Sequence, residues 1–165
     1  MSFTNEEDLK RQILAGLKVA VESTVDEIHG RNEDFIDNVV YDSYDPSWYD
    51  RTWDFKNAWD TTIGSAGSYV EGKFYYNSND MTVGPQETGQ HISVVTGEPV
   101  AGYMPEIIYQ GKMGAIYRPT KRDAWKALDK FLTNTQMRSI FESGLNKSGL
   151  PWKKNRGAIK VQKWV

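Results

Sequence analysis

Leu9, Ile13, Leu14, Leu17, Val21, Val25, Ile28, Phe35, Ile36 and Val39 fall on one stripe when each residue is advanced by 100°, and the acids and lysines between them fall mostly outside it. A period of 3.6 held from residue 9 to residue 39 excludes a strand and predicts one long amphipathic helix whose apolar face is core. Thr4-Asn5-Glu6-Glu7 reads as its capping box, with the Thr4 hydroxyl accepting from the third helical N–H and Glu7 reaching back. The helix is expected to run to about Tyr41, with Gly30 a point where it could loosen.

Pro46 ends any helix that has run so far, so residues 42 to 50 read as a loop. A short element around Trp53 to Ile63 and the breaker GSAGS come next. SYVEGKFYY then alternates, with Tyr69, Glu71, Lys73 and Tyr75 facing one way and Val70, Phe74 and Tyr76 the other. NSND reads as a turn and MTV as the returning strand. Between Gly84 and Gly114, ISVV and EIIY read as brief strands set in a long loop.

A second helix is expected from Thr120, its cap, with Asp123 as the acidic partner and Ala124, Trp125, Leu128, Phe131 and Leu132 on the buried face. A further helix covers Thr135 to Ser143 and stops at Gly144. The order of elements predicts an α+β fold: a long N-terminal amphipathic helix, a small antiparallel sheet, C-terminal helices and an extended basic tail. We divide it into one α+β domain over residues 1–149 and a tail over 150–165, the latter too poor in apolar residues to order alone.

With no cysteine, disulfides, thiolate nucleophiles and the usual structural zinc sites are excluded, and His29 and His91 have no metal-binding spacing. The acidic N-terminus is unlike a signal peptide and no run reaches the roughly 20 apolar residues of a membrane span. The chain is therefore expected to be made in the cytoplasm and to touch no membrane. Residues 1 to 60 hold fourteen acids and six bases, residues 61 to 142 eight of each, and residues 143 to 165 six bases and no acid. Such polarity can be satisfied internally, by head-to-tail pairing with another copy, or by offering the tail to nucleic acid or an acidic protein.

For chemistry, Asp60 followed by Glu71-Gly72-Lys73 reproduces a D…ExK spacing in which two carboxylates hold a divalent cation and a lysine orients water. This makes a metal-dependent nuclease one alternative and a small DNA-binding accessory protein, acting through the basic tail, another. No phosphate cradle, nucleophile elbow or catalytic triad is suggested by spacing, so we expect no enzyme and no cofactor. Residues 39 to 59 instead concentrate seven aromatic rings and four aspartates. Tyr and Trp in a loop suit subunit contact, since such rings dominate association hot spots.

The run VVYDSYDPSWYDRTWDF resembles the helix-exit motif of the neck or tail-completion proteins of tailed bacteriophages, through Val40-Tyr41, Tyr44-Asp45-Pro46, Tyr49-Asp50-Arg51-Thr52 and Phe55. YMPEIIYQGKMGAIYRPTKRDAWKALDKFL is similar to that family's short hairpin and following helix. The stretch from Gly84 to Gly102 and the tryptophan-bearing basic end depart from the pattern. The resemblance implies a non-enzymatic virion protein, assembled in the host cytoplasm, that forms a homo-oligomeric ring at the head-tail junction. Its partners would be itself and other neck, portal-side connector or tail proteins, with DNA passing through the ring. Contact residues are then expected at Tyr41, Tyr44, Pro46, Tyr49, Arg51 and Trp53, with Arg51 anchoring the loop to a carboxylate. In the tail, Trp152, Lys153, Lys154, Arg156 and Trp164 would meet the acidic head of a neighbour.

Overall fold

A computed structural model describes residues 5–42, 53–81, 97, 99–110 and 123–153 of the chain. The expected long helix is present as α1, Glu6–Ile36, continued by a π-turn over Asp37–Tyr41. Thr4 lies outside the described residues, and the cap is Asn5, whose Oδ1 accepts from the Asp8 N–H at 2.8 Å. The amide side chain one residue later meets the third N–H, which is the same physics in a shifted frame. Ala20, Thr24, Val25, Ile28, Asn32 and Ile36 form its buried stripe, whereas Ile13 is 41% exposed. In the π-turn the Asp42 N–H bonds to the Asp37 carbonyl, five residues back. The wider turn changes the phase, so Val40 rather than Val39 is buried.

A single turn of helix, α2 (Asp54–Asn57), precedes an antiparallel hairpin of β1 (Trp59–Ala66) and β2 (Tyr69–Tyr76). The short element expected at Trp53 to Ile63 is thus part helix and part strand. GSAGS does not break β1 before Ala66; the turn is Gly67-Ser68, with Gly67 at φ +54° in the first central position. A tight two-residue hairpin requires a positive φ there, which glycine adopts without strain. Among the described residues the sheet pairs β1 with β2; of the expected returning strand MTV, Met81 follows a 3₁₀ turn at Ser78–Asp80 and is in no strand, and Thr82 and Val83 lie outside the described residues. Asn77 causes this, since its side chain accepts from Asn79 N and donates to Asp60 and Asp80, tying the chain into a turn.

EIIY is not a strand. After a 3₁₀ turn at Val100–Tyr103 it lies in α3, Met104–Gln110, which also replaces the first part of the expected hairpin. A short apolar run carries no period that separates strand from helix. ISVV and Thr120 lie outside the described residues. The next helix, α4, is Ala124–Phe131, and Asp123 caps it by accepting from Lys126 N at 2.9 Å. The last, α5, runs Asn134–Ser148 straight through Gly144 and ends at Gly149, which has φ +70°. Gly144 is there for packing: a Cβ would lie 2.7 Å from the Ala20 carbonyl oxygen.

The chain forms two compact units. The first comprises residues 1–29, 61–74 and 130–165. In it β2 lies against α1 so closely that a Cβ on Gly72 would strike Val21 and Val25, and α5 crosses at Gly144. Leu150 fills the space over Gly16, and Trp152 Nε1 donates to Asn146 Oδ1 at 3.1 Å. The second unit, residues 30–60 and 75–129, is centred on rings. Phe55 lies 5.8 Å from Tyr109, 6.0 Å from Tyr76 and 6.2 Å from Trp59, and Trp59 stacks on Trp125 at 6.0 Å. Each such ring contributes roughly 1.5 to 3 kcal/mol by burial, with about 1 kcal/mol more for a well-placed pair.

Candidate functional site

The helix exit is built from both sides of the stretch that carries the motif. Trp53, immediately before α2, has φ 61° and ψ 8°, a left-handed backbone that a bulky residue adopts at a cost of about 1 kcal/mol or more. Its carbonyl accepts from Lys56 N and Asn57 N, which starts α2. Its ring lies 4.4 Å from Tyr41, tilted by 49°, and remains 43% exposed. Lys56 Nζ reaches Asp37 Oδ2 at 2.6 Å, and this hydrogen bond raises the lysine pKa above its usual value against the opposing effect of burial, with smaller help from the charges of Asp37, Glu33 and Asp34.

Of the rings expected as contact surface, Trp53 is presented outward, Tyr41 is half-buried beneath it, and Phe55 and Trp59 are core. The distinction follows from α2: its single turn swings Phe55 inward while Trp53 caps it from outside. Tyr44, Pro46, Tyr49 and Arg51 lie outside the described residues, as do Lys154, Arg156 and Trp164. Trp152 is half-buried on α5 and Lys153 beside it is exposed.

Two rings outside the expected set are also presented: Tyr69 and Tyr75 are 55% and 41% exposed. The alternation of SYVEGKFYY carried that signal, and the strand keeps it, with Glu71 and Lys73 on the same exposed face 3.3 Å apart. The acidity of α1 gathers in the first unit, where Glu22, Asp26 and Glu27 with Val19 and Ser23 line a groove of about 440 Å³ against Lys147 of α5. Lys147 donates to Ser23 Oγ at 3.1 Å.

The D…ExK residues are not brought to one point. Glu71 faces Gly64 of β1, while Asp60 stands four residues earlier on that strand and accepts from Asn77 Nδ2 at 3.0 Å. Four residues of strand span about 13 Å, far beyond the reach of two carboxylates to one ion. Among the described residues no three His, Asp or Glu side chains gather to hold a metal, and no helix is long and apolar enough to cross a membrane.

A family model described as YomN matches residues 5–147, most of the 165-residue chain. The chain belongs to the YomN family, which is associated with Bacillus phages. No curated protein and no solved structure matches it.

Proposed function

We infer that this YomN-family chain is a structural protein of a tailed phage particle, assembling with copies of itself into a ring at the head-tail junction. The observation that carries the reading is the exposed Trp53 ring, braced on Tyr41 at 4.4 Å and held at φ 61° within the helix-exit motif. Strained backbone clusters at functional positions and large rings dominate association hot spots, so we read Trp53 as a contact position. The phage association of the family supports the same reading.

The charge pattern suits a head-to-tail ring. In a heterologous interface one face meets a different face of the next copy, so the groove of Glu22, Asp26 and Glu27 can receive the bases at Lys153, Lys154 and Arg156. The test is mass measurement of the free protein together with electron microscopy of phage particles labelled on this chain. A closed oligomer and label at the neck are expected. A strictly monomeric protein, absent from particles and binding DNA with steep salt dependence, would replace the ring by a DNA-binding accessory role.

A further inference from the structure

The end of α1 carries two registers in its sequence. Held at about 100° per residue, the apolar stripe that begins at Leu9 reaches Val39 and leaves Val40 about 100° to one side. The π-turn over Asp37–Tyr41 adds one residue to a single turn, closed by the Asp42 N–H on the Asp37 carbonyl at 2.8 Å, and so buries Val40 and leaves Val39 half-buried. Because the two neighbours are both valine, either register places the same side chain in the core. A shift of one residue at this point exchanges like for like.

We propose that Asp37–Tyr41 is a switch between these two registers and that it governs the Trp53 ring. In the π register Tyr41 lies 4.4 Å from Trp53, which stands 43% exposed on a left-handed backbone. In the α register a side chain past the turn is rotated by about 100°. Tyr41 then leaves Trp53, and the ring loses its brace. The π register presents the ring and the α register withdraws it. The use of this switch in assembly rests on the reading of Trp53 as a contact position; the existence of the two registers does not.

The groups around the turn leave the π register open to exchange. Asp37 Oδ1 and both polar atoms of Asn32 are buried without a hydrogen-bond partner among the described residues, so a shift breaks no bond of theirs. The Lys56 contact is made by Asp37 Oδ2 at the start of the turn, ahead of the side chains that rotate. A bulky residue at φ 61° is costly, and release from Tyr41 frees Trp53 to leave that conformation. A single π-turn inside an α-helix is a frequent mark of a functional site.

The test is NMR relaxation dispersion on the free full chain, with Val39→Ala and Val40→Ala beside the parent. Alanine has the same helix propensity at both positions, so opposite effects report burial. The amides of residues 37 to 42 should exchange with a minor state, and the Trp53 indole N–H should exchange at the same rate. Val40→Ala should raise the minor population about five-fold and Val39→Ala should lower it about five-fold, since each removes two methyls from the core of one register. Amides that are silent in both the parent and Val40→Ala overturn the two registers. Equal exchange in the two variants overturns them as well, because the motion then does not trade the valines. Exchange that never reaches the Trp53 indole overturns the switch. If Val40→Ala does not fold, the other two chains decide: exchange must be present in the parent and weakened in Val39→Ala. Each outcome is read on the free chain, so failure here leaves the ring reading standing, and a chain that never assembles leaves this test intact.

Discussion

Lys56 Nζ donates to Asp37 Oδ2 at 2.6 Å, joining two residues nineteen apart and closing the π-turn of the long helix onto α2. Both side chains are partly exposed, so the bond is worth about 0.5 to 1 kcal/mol rather than the several of a buried pair. Lys56→Met and Asp37→Asn should each lower the stability of the second unit by about that amount, measured by urea unfolding. The double variant should lose less than the sum. Strict additivity would show that the contact carries no coupling.

The ring cluster separates two tyrosines by their hydroxyls. Tyr76 Oη donates to the Ala101 carbonyl at 2.7 Å, whereas the buried Tyr109 hydroxyl has no partner among the described residues. Tyr76→Phe should therefore cost about 0.5 to 1.5 kcal/mol, and Tyr109→Phe should leave stability unchanged or raise it by up to about 1 kcal/mol. The fully buried Asn32 amide on α1 has no partner for either polar atom among the described residues, so Asn32→Leu should stabilise as well. A clear loss on Tyr109→Phe would mean that its oxygen is hydrogen-bonded in solution.

Burial pushes the Tyr76 hydroxyl up to about 12 and Tyr109 higher still, the latter aided by the charges of Asp123 and Tyr76. Lys56 is raised too, by its bond to Asp37. All three bind protons more tightly folded than unfolded, so their stabilising effect is full below pH about 10 and is lost as pH rises through the folded values. Urea midpoints should fall steadily above pH about 10, with Tyr109→Phe shrinking the fall. A midpoint flat from pH 9 to 12 would refute the assignment.

The sequence by itself determined what local periodicity encodes. The 3.6 period of Leu9 to Val39 produced α1, and the period of two in SYVEGKFYY placed Tyr69, Glu71, Lys73 and Tyr75 on the exposed face. Spacing over several turns averages out single residues, so these elements survive errors at their ends. Single-residue signals did not. EIIY is a helix because seven residues follow one 3₁₀ turn without a strand to pair with in the two-stranded sheet. Gly144 looked like a stop, yet its missing side chain admits the Ala20 carbonyl, a neighbour 124 positions away that no local rule can see.

Tertiary structure alone decided which rings are core and which face water. Phe55 and Trp53 are two residues apart in an aromatic run, and only the left-handed Trp53 backbone sends one into the cluster and leaves the other outside. It also decided that the hairpin closes against α1 at Gly72, whose missing side chain leaves room for Val21 and Val25. Periodicity reports a residue's own face; burial and open hydrogen bonds depend on what arrives from elsewhere in the chain.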